Sequence, residues 1–272
     1  APHLKRGDVE TKLDPQKELI PVFGLWKKDE PHSFLDEAAE MLQIDKADIL
    51  DYDLYLYNCD SCQMIGDSGV FTSPRIDNVS SVSAILESLV RTGNKWKEEK
   101  GKGTEAALAD EKISEADGSD MNLDIGVFFD NEEIGSLSKQ GADSGLLRMI
   151  TERILKDSGE SRTIQELLPE IFLISLDVAH GTHPNYQEKS DPVNRVLLGN
   201  GVVLKSSASQ RYVTDSEAAA VIQVLCEDEG IPFQRTVNKT GMPGGTTLGP
   251  IVSSYLPVKA VDMGTVSYTH LT

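Results

Sequence analysis

Glu132 and Glu133 stand side by side in Phe128-Phe129-Asp130-Asn131-Glu132-Glu133-Ile134-Gly135-Ser136, directly after the apolar run 123–127. That run reads as a buried strand, so the two carboxylates fall where a strand stops and a loop begins. Adjacent residues at a strand end point to opposite sides, which lets one glutamate face a metal ion and the other a water. The division suits hydrolysis. A bound cation lowers the pKa of its water, and a carboxylate not tied to the metal can take the proton and later return it. Taken alone, Glu-Glu is an ordinary acidic surface turn, since glutamate is nearly always exposed. The company the pair keeps changes that reading.

Asp77 sits at the entrance of a helix whose apolar stripe is Val79, Val82, Ile85, Leu86, Leu89 and Val90. In isolation, Asp77 or Asn78 would be read as its N-cap. Asp177 ends a second apolar strand, 171–177, and Asp262 lies in a last one, 258–264. In a parallel α/β sheet, ligands bind outside the carboxyl ends of the strands. Asp77, Glu132, Glu133 and Asp177 are expected at that edge, with Asp262 as a further candidate. Carboxylates crowded there repel one another unless cations sit among them, and two divalent ions bridged by a shared carboxylate are the natural solution.

The elements that must position these groups follow from periodicity. Helices are predicted over 144–156 and 216–227, strands over 201–205 and 230–234, and the glycine-rich stretch 241–250 opens a short helix. That stretch lacks the Gly-Lys-Ser/Thr ending of a phosphate loop. Apolar strands alternating with helices predict an α/β fold, a mostly parallel sheet with helices on both faces. Residues 95–120 are polar and charged and read as a surface excursion. The opening section differs: a short strand within 12–24, a helix starting after Ser33, and the alternating segment 49–57 predict antiparallel sheet with one helix.

The chain has 272 residues, a formal charge of −18 and a pI near 4.6. This balance repels nucleic acid and anionic membranes, so neither is an expected partner. No run approaches the roughly 18 apolar residues of a spanning helix, and the first residues lack a signal peptide's apolar segment. The expected location is cytoplasmic. Three cysteines make no disulfide framework. Cys59-Asp60-Ser61-Cys62 has redox or zinc-knuckle spacing, but a structural zinc site needs four ligands, so these are read as reduced, partly buried thiols.

Five motifs taken in order then become recognisable: 75–78; 130–136; 175–180 with His183-Pro184-Asn185-Tyr186; Gln210-Arg211-Tyr212; and 245–250. Together they resemble the aspartyl aminopeptidases, a family of dinuclear zinc exopeptidases. The resemblance implies a zinc-exopeptidase-like catalytic domain over 67–264, incomplete here. It is preceded at 1–66 by part of the smaller β-rich domain which that family inserts for subunit contacts.

By that resemblance Asp77 would bridge two zinc ions, with manganese or cobalt as alternatives. Glu132 would be the general base, Glu133 a ligand of one zinc and Asp177 of the other. His180 and His183 would lie near the substrate, and Lys205 would suit an acidic side chain on the first residue of a peptide. Without the family, Lys205 reads equally well as a snorkelling surface lysine. Tyr212, Gly244, Gly245 and Thr246 would line the same pocket. The implied partners are peptides with a free N-terminus and further copies of the chain, in a homo-oligomer built from dimers.

The sequence also departs from the family pattern. A histidine ligand in a His-Thr-Asp context before Asp77, and another in a Met-His-Ser context after Asp262-Met263-Gly264, are both missing, and neither His3 nor His270 fits. The expectation is therefore an internal stretch of such an enzyme with a non-native tail at 265–272. Two alternatives follow, a catalytically inactive fragment or a related dinuclear aminopeptidase or deacylase of different specificity.

Overall fold

The computed structural model describes residues 14–29, 32–107, 123–241 and 245–268. His3, His270, Gly244 and part of the polar excursion lie outside them. The chain divides into two compact units, 1–57 and 58–272.

In the first unit the described residues hold helices α1 (Pro15–Glu18) and α2 (Phe34–Leu42). Asp36 fixes the start of α2 by accepting the Ser33 N–H at 2.7 Å, and Lys46 closes on the same carboxylate at 2.7 Å. Phe34 packs edge-on against Phe23, with ring centroids 5.2 Å apart, and tilts against Tyr52. Residues 49–57, expected as a half-exposed strand, form no ladder. Alternation alone does not make a strand when no neighbour takes its hydrogen bonds.

The second unit opens with an antiparallel hairpin of β1 (Gln63–Ile65) and β2 (Val70–Thr72). Cys59 and Cys62, just before it, are both exposed rather than partly buried. Helix α3 (Ile76–Ala107) follows, with non-helical backbone at Asp77 and Asn78. It extends into the stretch expected as a surface excursion, where Lys, Glu and Ala are strong helix formers.

Next come α4 (Leu146–Asp157), α5 (Ile164–Leu167), β3 (Phe172–Leu176), β4 (Ala179–His180) and β5 (Val202–Ser206). The chain continues through α6 (Ser216–Asp228), β6 (Phe233–Val237), α7 (Leu248–Tyr255), β7 (Lys259–Gly264) and β8 (Val266–Ser267). The main sheet has the order β3-β7-β5-β6. Its outer pairs, β3 with β7 and β5 with β6, are parallel, and the central β5–β7 pair is antiparallel. A smaller parallel pair joins β4 to β8.

Both faces of the sheet are covered, as the alternation within its strands requires. On one face Phe172, Leu204 and Val261 pack against Ala218, Ile222 and Cys226 of α6. On the other, Leu173 meets Ile164, Val252 and Leu256 from α5, α7 and the residue after it. Full burial of each such Leu, Ile or Val contributes about 1.5–3 kcal/mol. Asp215 couples the layers: one carboxylate oxygen accepts the Ala218 N–H at 2.7 Å and caps α6, while the other accepts the Ala260 N–H at 3.1 Å in β7. Residues 123–127, expected as a strand, have no ladder partner among the described residues. Among those residues no helix is long and apolar enough to cross a membrane.

Candidate active site

Asp77 and Asp177 meet although a hundred residues of chain separate them. The Asn78 side-chain amide donates to the Leu176 carbonyl at 2.8 Å and so ties the entrance of α3 to the end of β3. This contact brings the carboxyl of Asp77 within hydrogen-bonding reach of Asp177. The Asp177 backbone also abuts Gly264, where a Cβ would run into the Asp177 carbonyl.

Glu132 and Glu133 reach the same place by a different route from the one expected. They lie on a single 3₁₀ turn, Glu132–Ile134, between two left-handed residues, Asn131 and Gly135. Successive side chains on such a turn diverge by about 120°, so the two glutamates still face different ways. Ser136 closes the turn, with its N–H donating to the Asn131 carbonyl at 2.9 Å.

The electrostatics show the neighbouring carboxylates acting on Asp77 and on Glu132. Burial first, then Asp177 by charge and hydrogen bond, then Glu133 and Glu132, push Asp77 up from 3.8 to about 7. Partial burial, then the charges of Glu133 and Asp177, raise Glu132 while Lys205 opposes them, although the side chain keeps access to solvent.

Lys205 is the counter-charge. Only 2% exposed, its ammonium donates to the Val178 carbonyl at 2.8 Å and stands 3.5 Å from Asp177 Oδ2. It also lies 5.5 Å from the centre of the Tyr212 ring, within cation–π range. Burial pulls the Lys205 pKa down, and the nearby aspartates, led by Asp177, pull it back up.

Asp262 does not sit on the rim. It is wholly buried within β7, beside Ser175 and Lys205 in register, and its Oδ2 accepts the Val213 N–H at 2.6 Å. Burial raises its carboxyl, opposed by the Val213 hydrogen bond, the neighbouring hydroxyls of Ser175 and Thr247 and the charge of Lys205. It therefore anchors the loop that carries Tyr212. That loop in turn holds the glycine-rich segment, since the Arg211 carbonyl accepts from Thr246 Oγ1 at 3.0 Å.

His180, His183 and Gly245 share a cavity of about 660 Å³ that Lys189, Asn238, Lys239 and Tyr268 also line. Lys205, Tyr212 and Thr246 are not among its walls, but the Tyr212 hydroxyl donates to Asn238 Oδ1 at 3.1 Å and links the two regions. The Asn185 N–H donates to His183 Nδ1 at 3.1 Å. In the neutral ring this leaves the proton on Nε2. Asn238 and Lys239 escaped the reading of the sequence because the preceding strand was placed at 230–234, whereas β6 runs Phe233–Val237. With the strand in its true position, Asn238-Lys239 would have stood out as the loop at a strand's carboxyl end.

The donor set fits a divalent cation in kind. A hydrogen bond between two carboxylates needs one of them to keep a proton, and a cation can replace that proton. Among the described residues no three His, Cys, Asp or Glu side chains converge to hold a metal ion. Asp77 and Asp177 are thus a two-carboxylate contribution to such a site, with Glu133 within electrostatic reach.

The profile of the aminopeptidase I zinc metalloprotease (M18) family matches residues 1–269. The probable M18 family aminopeptidase 2 of Clostridium novyi (strain NT) is 36% identical over 268 residues, covering 97% of this chain and 56% of that protein. The chain spans about half the length of the curated relatives it matches. Among solved structures, prApe1 superposes with a TM-score of 0.78 at 22% identity, covering 99% of this chain and 56% of that one. The S. cerevesiae mApe1 dodecamer gives 0.65 at 21% identity, covering 86% and 48%. Both likenesses show the fold.

Proposed function

The chain belongs to the aminopeptidase I zinc metalloprotease (M18) family, and on that premise we propose that the protein removes N-terminal residues from peptides by zinc-assisted hydrolysis. The observation that carries the proposal is the meeting of Asp77 and Asp177, tied together by the Asn78 bond to the Leu176 carbonyl, with Glu132 and Glu133 within electrostatic reach of Asp77. Three motifs distant in sequence place four carboxylates together, and that arrangement is sustained when cations neutralise it.

Asp77 would bridge two zinc ions, Glu133 would hold one and Asp177 the other. When bound, zinc supplies a Lewis acid for the scissile carbonyl and lowers the pKa of the attacking water. Glu132 would take the proton from the attacking water and later deliver it to the leaving amine. Its raised affinity for a proton, with access to solvent, suits a group that must both accept and return one. His183, with its proton on Nε2, is able to donate to the developing oxyanion, and His180 stands in the same cavity. Tyr212, Gly245 and Thr246 shape the loops around the substrate.

Acidic first residues are the proposed preference, held by a cation at the site, with Lys205 as the candidate that the family resemblance implies. Residues 1–66 would provide contacts between copies in a homo-oligomer, in keeping with the dodecamer formed by the yeast protein of the same fold. The proposed location is the cytoplasm.

Zinc-loaded protein carrying Glu132→Gln should keep its metal and lose turnover by roughly 10²–10⁴-fold on aminoacyl amides. Unchanged turnover removes Glu132 as the base. A second reading is favoured by the lack of three converging metal donors among the described residues. In it the chain binds zinc poorly and is inert, and metal analysis separates the two. A related enzyme of different specificity would show itself on a panel of first residues.

A further inference from the structure

We propose that Cys59 and Cys62 form a redox-active dithiol that exchanges with small neutral disulfides and closes into an intramolecular disulfide. This site is independent of the aminopeptidase reading and lies outside the carboxylate cluster.

Both thiols are exposed, whereas Cys226 is buried in α6 against Leu204 and Val261. Cysteine is among the residue types most often buried, so packing does not explain an exposed pair. Exposure does open both sulfurs to a disulfide in solution. A structural zinc knuckle would also account for the spacing, but it needs four ligands. Among the described residues no third His, Cys, Asp or Glu side chain converges on the pair. What remains is the chemistry of two neighbouring thiols.

The backbone permits their closure. Residues 50–62 form no helix or strand, so drawing the sulfurs together breaks no ladder. A disulfide needs its Cα atoms about 4.4–6.8 Å apart, a separation that a four-residue turn supplies. Asp60 and Ser61, the two residues between the cysteines, favour such a turn. The Asp60 N–H donates to Asn58 Oδ1 at 2.7 Å and already bends the chain on one side. On the other, Gln63 opens β1 and pairs with Thr72, which holds the Cys62 end in the hairpin.

Charge selects the reagent. Asp60 stands between the thiols in a chain of formal charge −18, which disfavours the approach of an anionic disulfide and leaves a neutral one as the fitting class. One cysteine thiolate attacks a sulfur of the small disulfide, forming a mixed disulfide and releasing one small thiol. The second thiolate attacks the protein sulfur of that mixed disulfide and expels the other small thiol. The protein loses two protons and two electrons, and the small disulfide takes up both.

The test incubates the intact, reduced chain with bis(2-hydroxyethyl) disulfide and follows released 2-mercaptoethanol, remaining thiols and protein mass. The expected result is release of about two equivalents per chain, loss of both exposed thiols and no retained adduct. Cys226 should react only after unfolding. Cys59→Ser and Cys62→Ser should each release about one equivalent and keep the hydroxyethyl adduct on the surviving cysteine. That adduct should persist about tenfold longer or more than any mixed disulfide in the unaltered chain, since the neighbouring thiol that would expel it is gone.

Adducts retained on both cysteines of the unaltered chain overturn the proposal, as do disulfide-linked dimers on a denaturing gel without reductant. Exposed thiols that do not react at all overturn it too. Thiols that react only in the presence of a chelator would mark a metal site and overturn it likewise. Peptide hydrolysis enters none of these readouts, so the result stands whether or not the aminopeptidase reading does.

Discussion

The Lys205 ammonium stands 3.5 Å from Asp177 Oδ2 with almost no exposure of its own, while Asp177 remains 29% open to solvent. A buried cation thus underpins a carboxylate that still reaches the surface, and the neighbouring acids Asp77 and Asp262 draw on the same charge. Removing it with Lys205→Met should lower stability by about 1–3 kcal/mol. The figure is kept below that for a fully buried pair because water partly screens Asp177. Denaturant unfolding checks this, and a change under ~0.5 kcal/mol would remove Lys205 as the neutralising group.

The stability of the metal-free chain should depend on pH through Asp77. Its folded carboxyl is raised from 3.8 to about 7, by burial first and then by Asp177. The folded state therefore binds this proton more tightly than the unfolded one. The resulting stabilisation is fully present below pH 3.8 and is lost as the pH rises through about 7. Melting temperature in a chelator should fall between pH 5 and pH 8, and zinc should restore part of it at the upper end. A flat profile in the chelator would contradict the Asp77–Asp177 contact.

Zinc content distinguishes the two functional readings. A working dinuclear centre holds about two ions per chain, and Asp77→Ala should lose both because that residue is the proposed bridge. Asp177→Ala should lose chiefly one. Atomic absorption after gel filtration reads these ratios directly, and values near zero in the unaltered chain favour the inert reading.

Asp262 should prove a structural anchor. Asp262→Ala leaves the Val213 N–H without its 2.6 Å acceptor at a cost of about 1–3 kcal/mol. Asp262→Asn keeps an acceptor and should cost less. Equal losses in the two variants, measured by thermal unfolding, would show that charge rather than the Val213 contact is what matters.

The sequence by itself determined the local chemistry. Apolar runs ending in Asp177 and containing Asp262, the helix opening at Asp77, and the adjacent Glu132 and Glu133 are all properties of short windows, and side-chain periodicity reports them directly. The α/β class followed for the same reason, because alternating strands and helices leave few ways to cover a sheet. Only the tertiary structure decided which of these groups meet. The Asn78 bond to Leu176 sets Asp77 against Asp177, and register within β7 buries Asp262 beside Lys205 instead of leaving it at the rim. A 3₁₀ turn, not a strand end, presents the two glutamates. Lys239 entered the cavity wall unannounced, since no local pattern shows that the loop after β6 folds back to the carbonyl of Glu188. Such contacts join residues far apart in the chain, and they exist only once the hydrogen-bond ladders of the sheet have fixed its register.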